Sequence, residues 1–139
     1  MAAKANKVTP LGAKEELARF VVYQSREVRS DSTPKPDLFM PDGAHTCSTY
    51  RVQGLRTAGM LKAVSDDVGL KRRGKPAYGY CPIRVDQVNA IGLTVDPDDT
   101  PRHHANITGY PSPSTPEQIK AKALALSQVA GKLVNDYLK

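Results

Sequence analysis

The sequence predicts an α/β or α+β domain, a single sheet with helices packed mainly on one face, and three observations lead there. At 139 residues the chain can fill one hydrophobic core but not two, because small domains bury too small a share of their surface to stand alone. Short β-branched and aromatic runs alternate along it with segments of helical spacing instead of collecting in separate halves. Apolar residues at 40% with charged residues at 24% are the balance of a folded protein, not of a disordered one.

Residues 1–14 carry Lys4, Lys7 and Lys14 and no acid, and read as a flexible basic N-terminal arm ahead of a domain spanning 15–139. Phe20 to Tyr23, aromatic and β-branched, is the first strand, buried on both faces. Ser25 to Pro36 is an exposed loop, since Pro34 and Pro36 disfavour both helix and ladder. Cys47 to Val52 is a second strand that stops before Gly54. Leu55, Met60, Leu61, Val64 and Val68 then recur at helical spacing and predict a helix over 55–68, ending near Gly69.

After the charged turn 71–76, Tyr78 to Ile83 forms a third strand, and Pro82, with no N–H to give, puts it at a sheet edge. Val85, Val88 and Ile91 suit a short helix closed by Gly92, and Leu93 to Val95 a strand cut off by Asp96-Pro97. Between Pro101 and Pro111 an extended chain places His103, Ala105 and Ile107 on one face. The opposite face receives Arg102, His104, Asn106 and Thr108. The last helix starts at an N-cap, Thr115, with Pro116 at its first position and Gln118 completing a capping box. Ile119, Leu126, Val129, Ala130, Leu133 and Tyr137 carry it to about Leu138, with Leu126 and Leu133 in the core.

The segment from His103 to Pro111, HHANITGYP, preceded by a strand ending in Tyr50-Arg51 and followed by the capped helix, resembles a segment of short uncharacterised bacterial proteins. The resemblance extends over about residues 19–137. It implies a compact bacterial domain and brings no activity and no functional residue with it.

Charge and motifs narrow the function classes. The longest strongly apolar run, Phe20 to Tyr23, is far short of the roughly 20 residues that cross a bilayer, so no membrane association is expected. The basic N-terminus lacks an apolar stretch behind it, which argues against secretion and for a cytoplasmic protein. Cys47 and Cys81 accordingly read as small buried apolar residues, not as a disulfide. No glycine-rich phosphate loop, HExxH, CxxC pair, EF-hand loop or GxSxG is present, and no cofactor is expected. Histidine is limited to His45, His103 and His104. Neighbours on a strand point to opposite faces, so His103 and His104 do not share a metal, and no metal site is expected. His103, on the apolar face, reads as a core histidine. Asp96, Asp98 and Asp99 read as turn chemistry.

Two sets of residues are candidates for chemistry, each beside a structural alternative: His104 and Asn106 bonding loop backbone to hold the Gly109-Tyr110-Pro111 turn, and the basic stretch 71–84 serving as a solvated turn. His104 and Asn106 share a face, where an imidazole can take a proton and a carboxamide can orient it, while Arg102 supplies a cation for a phosphate or carboxylate. Lys71, Arg72, Arg73, Lys75 and Arg84, interleaved with Tyr78 and Tyr80, combine phosphate grips with rings that stack on bases. The net charge of +6 adds only weakly to that reading, because much of it sits in the arm. The expected function is a non-catalytic binding or adaptor subunit of a larger bacterial assembly, contacting a protein partner or nucleic acid. The alternatives are a small hydrolase or nuclease using His104, Asn106 and Arg102, and a structural protein of a phage or mobile element.

Overall fold

The computed structural model describes residues 8–42, 45–112 and 115–139. Among these, five strands form one sheet: β1 (Glu16–Val21), β2 (Cys47–Arg51), β3 (Gly79–Arg84), β4 (Thr94–Asp96) and β5 (His104–Thr108). Their order is β3-β1-β2-β5-β4 and every neighbouring pair is antiparallel. Four helices accompany them, α1 (Gln24–Glu27), α2 (Ala58–Asp66), α3 (Val85–Ala90) and α4 (Pro116–Val129). An antiparallel sheet with this helix complement is an α+β fold.

The two-residue period of each strand sorts the sheet into two faces. Leu17, Val21, Cys81, Ile83, Ala105 and Ile107 turn to the first face and pack beneath α3, α4 and the turn at Pro36–Phe39. Ala18, Phe20, Tyr50 and Tyr80 turn to the second, where Leu61 and Val64 of α2 and the distant Tyr137 meet them. That second cluster ends at Tyr50. Beyond it, toward β5, the second face carries polar side chains.

Several sequence expectations need correction. The first strand begins at Glu16 and stops at Val21, earlier than Phe20 to Tyr23. Its ladder ends because Glu27 turns back and its Oε1 accepts the N–H groups of Val22 at 2.8 Å and Tyr23 at 2.9 Å. The stretch 25–36 is not wholly an exposed loop, since α1 opens it and the buried Val28 and Pro34 bridge each other. The helix expected over 55–68 starts at Ala58, where Thr57 Oγ1 accepts the Met60 N–H at 3.1 Å, and widens into a looser turn over Asp67–Lys71. β3 does lie at the sheet edge, where Pro82 costs no ladder bond.

The last helix ends at Val129, not near Leu138. Gly131 donates to the Pro82 carbonyl at 2.7 Å, and Val134 exchanges both backbone bonds with Tyr80, at 2.7 and 3.0 Å. The chain therefore crosses the open side of β3 instead of coiling on. A Cβ on Gly131 would stand 2.9 Å from the Pro82 ring, so this approach requires glycine. Leu126 is fully buried as expected, but Leu133 is only half-buried, and Tyr137 reaches the second face to donate to Ser65 Oγ at 3.1 Å. Thr115 gives its hydroxyl to the Ser112 carbonyl at 2.7 Å, so the expected capping box does not form.

Residues 1–7 of the expected arm lie outside the described residues. Residues 8–14 are bonded to the body: the Thr9 and Pro10 carbonyls accept from Arg51, and the Ala13 carbonyl accepts from the Asp86 N–H at 2.9 Å. Cys47 and Cys81 are free and buried, and burial pushes the Cys81 thiol up to about 12. No helix of the described residues is long and apolar enough to cross a membrane.

Candidate functional site

The register of β2 against β5 pairs Ser48 with Asn106 and Tyr50 with His104. All four side chains therefore project from the second face. Ser48 sits diagonally across from His104, and its Oγ lies 2.5 Å from the imidazole Nε2. The other ring nitrogen, Nδ1, is 2.8 Å from Asp98 Oδ1 in the loop that leads into β5. The second carboxylate oxygen of Asp98 accepts from Asn106 Nδ2 at 3.1 Å. A carboxylate only accepts, so the imidazole turns its Nδ1 proton to Asp98, and in the neutral ring Nε2 is then the acceptor that faces the Ser48 hydroxyl. The Tyr50 ring packs edge-on against the imidazole, centroids 5.2 Å apart, and fixes its plane.

A cleft opens where β1 and β2 part, beyond the pairing of Ala18 with Tyr50. Arg19 bridges the gap, donating from Nε to the Leu38 carbonyl at 2.6 Å and from Nη1 to the Ser48 carbonyl at 2.8 Å. The backbone of Ser48 is thus held from behind by a cation. The cavity, about 230 Å³, is lined by Ser48, His104 and Asn106 together with Arg19, Arg72 and Arg73 and with the acids Glu27 and Asp42. Tyr50 also lines it, and its hydroxyl is buried with no hydrogen-bond partner among the described residues. Burial raises the Tyr50 phenol above its ordinary value, so it stays protonated and remains a donor. An unsatisfied buried hydroxyl costs about 1–3 kcal/mol, which an anionic ligand in the cleft would offset.

No family model, curated protein or solved structure matches this chain. The site is therefore read from its own geometry.

That geometry splits the first candidate set. His104 and Asn106 are together, but Arg102 is not with them. Residue 103 has φ +72°, which breaks the alternation, so β5 starts at His104 and Arg102 turns away. His104 is also only 7% exposed and held on two sides, not displayed on an open face. Nor does His103 lie in the apolar core. Its ring packs over Gly54, where a Cβ would stand within van der Waals overlap of Nδ1, and it lines a second hollow with Arg102. Burial, then the nearby Arg102 charge, push its ionisation below the ordinary histidine value and keep it neutral. At the same end of the sheet Glu15 and Arg51 form a bidentate pair, at 2.5 and 2.9 Å, with side chains 2% and 9% exposed.

The second candidate set also divides. Arg72 and Arg73 line the cleft, Arg72 with Asp67 3.4 Å away. Lys75 lies over the Tyr23 ring and Tyr78 is exposed, while Lys71 stands in solvent. Tyr80 is not a stacking platform: it is 6% exposed and packs edge-on against Phe20. Arg84 caps the far end of β3 and pairs with Asp86 at 2.9 Å. Sequence reasoning missed Ser48, Asp98, Tyr50 and Arg19. Ser48 and Asp98 are ordinary in a strand and a turn. The signal that would have found Ser48 is the β2–β5 register, which links it to His104, 56 residues on, whereas Asp98 reaches His104 through the loop before β5.

Proposed function

We infer that the protein is a hydrolase in which Ser48 attacks an ester bond of an anionic substrate. The observation that carries the reading is the continuous chain from Ser48 Oγ through His104 to Asp98, opening on a cleft in which three arginines outnumber two acids. A hydroxyl is a weak nucleophile until a base takes its proton, and a base in turn needs its tautomer fixed. Both conditions are met here by named contacts. They favour a hydrolase over the non-catalytic subunit, in the form of Ser48, His104 and Asp98 instead of His104, Asn106 and Arg102.

In this mechanism Ser48 Oγ bonds to the electrophilic centre as its proton passes to His104 Nε2. The imidazolium is stabilised by Asp98, and Asn106 holds Asp98 in place. His104 returns the proton to the departing oxygen, the ester bond breaks, and a seryl ester remains. Water then enters, gives a proton to His104 and displaces Ser48, which recovers its own. The Tyr50 hydroxyl and the arginines supply positive character where negative charge grows. Ser48 and His104 are the catalytic residues, and Asp98 and Asn106 position them. The two unpaired cysteines support a cytoplasmic setting.

A fluorophosphonate probe tests the reading, because it reports an activated serine whatever the natural ester. Intact mass should rise by one adduct located on Ser48. Ser48→Ala should abolish labelling, and His104→Gln should slow it by at least about a thousandfold. A protein that neither labels nor turns over carboxyl and phosphoryl nitrophenyl esters is not a hydrolase of this kind.

A further inference from the structure

Three cations converge on one ring beside the cleft. Arg26 Cζ lies 4.8 Å from the Tyr23 centroid, Lys75 Nζ 5.1 Å and Arg73 Cζ 5.9 Å. None of the three has a carboxylate within ion-pair distance among the described residues. The buried Glu27 spends Oε1 on the N–H groups of Val22 and Tyr23 and lines the cleft that Arg73 also lines. Like charges gathered this closely without counter-charge repel one another, and an anion laid across them removes the cost. The ring alone does not account for the arrangement, since one aromatic quadrupole attracts a cation only weakly at an exposed site.

The surroundings specify the anion further. A hollow of about 280 Å³ lies between Tyr23 and the 39% exposed Tyr78, with Arg26 and Lys75 on its rim. Its size and the exposed Tyr78 ring suit a planar base, and the cations gathered over Tyr23 suit the phosphates beside that base. Arg73 belongs both to this cluster and to the cleft that Ser48 lines, which joins the Tyr23 cluster to that cleft. Lone phosphates need no aromatic hollow, and a duplex has no free base to place in one.

We propose that Tyr23, Arg26, Arg73, Lys75 and Tyr78 form a docking surface for single-stranded nucleic acid that leads into the cleft. The surface shares Arg73 with the hydrolase reading but does not depend on catalysis. Arg84 and Tyr80 take no part in it.

Anisotropy titration of a fluorescein-labelled oligouridylate tests this, using the full chain and its Ser48→Ala variant so that turnover and binding stay separate. Both proteins should bind, with affinity falling steeply as salt rises. Arg26→Ala and Lys75→Ala should each flatten the salt slope by about 1. Tyr78→Ala should weaken binding roughly five- to a hundredfold. All three side chains are exposed, and circular dichroism would verify that the variants fold. Matched duplex should bind more weakly than the single strand. Absence of binding at low salt overturns the proposal. Binding that Tyr78→Ala leaves unchanged, and that heparin and duplex reproduce, overturns it as well and marks a general polyanion surface.

Discussion

Two polar centres occupy the two ends of β2. Near its start, Ser48 meets His104 and Asp98 in the cleft, and at its end Arg51 meets Glu15 beneath the N-terminal segment. His103 and His104, adjacent in the chain, go one to each. At the Arg51 end the buried ion pair is fully bonded: the guanidinium serves Glu15 twice and the Thr9 and Pro10 carbonyls, and Glu15 also accepts from the Gly12 N–H. At the Ser48 end the chain of bonds stops at a hydroxyl facing the cleft, and a buried tyrosine donor has no partner among the described residues. A centre that closes on itself holds the fold. Both centres border a hollow, but only the Ser48 centre leaves bonding capacity turned toward its own.

The largest expected effect is on the open centre alone. Ser48→Ala should lower turnover of any ester the protein accepts by at least about a thousandfold, while the urea midpoint hardly moves. A large loss of stability with this variant would erase the contrast between the centres.

Next comes the closed centre. Arg51→Met leaves the Glu15 carboxylate buried and unpaired, which should cost about 3–5 kcal/mol in urea melts, with labelling of Ser48 in the folded fraction unchanged. Gly54→Ala probes the same end by geometry. The added methyl overlaps the His103 ring, and relief of that clash should cost about 1–3 kcal/mol.

The smallest effect is a pH dependence. Burial raises the Glu15 pKa, but the Arg51 guanidinium and the Gly12 N–H outweigh it and hold the carboxyl below its ordinary value. A depressed carboxyl contributes stability that is complete above the unfolded value of about 4.3 and is lost as pH falls through the folded value. Glu15→Gln should therefore be less stable at neutral pH and show a shallower acid decline. Parallel acid limbs for parent and variant would show that Glu15 is not what the acid titrates.

The closed and open centres were unequally legible in the sequence. Local signals sufficed where they were strong: Pro82 at an edge, the helical spacing of Ile119 and Leu126, and the alternation of His104 and Asn106. They failed where distant segments decide. The last helix stops at Val129 because the edge of β3 offers Val134 two backbone bonds, which periodicity does not encode. The site was half visible, since His104 and Asn106 lie on one strand, but Ser48 and Asp98 reach them only through strand pairing and a loop. Arg102 was assigned to that face because the left-handed backbone at His103 has no signature in a non-glycine residue.

The tail that crosses β3 has a further consequence, for self-association. Without it, the outer Tyr80 N–H and C=O would be bare, beside an apolar and aromatic surface that invites strand addition from a second copy. Val134 occupies those two groups, so residues 130–139 act as a built-in stopper on sheet growth. The opposite rim needs no such device: β4 is three residues long and ends in Asp96, too short and too charged to template another strand. A chain cut after Val129 should accordingly form oligomers through β3, and a single sheet of five strands persists because each of its margins is blocked in a different way.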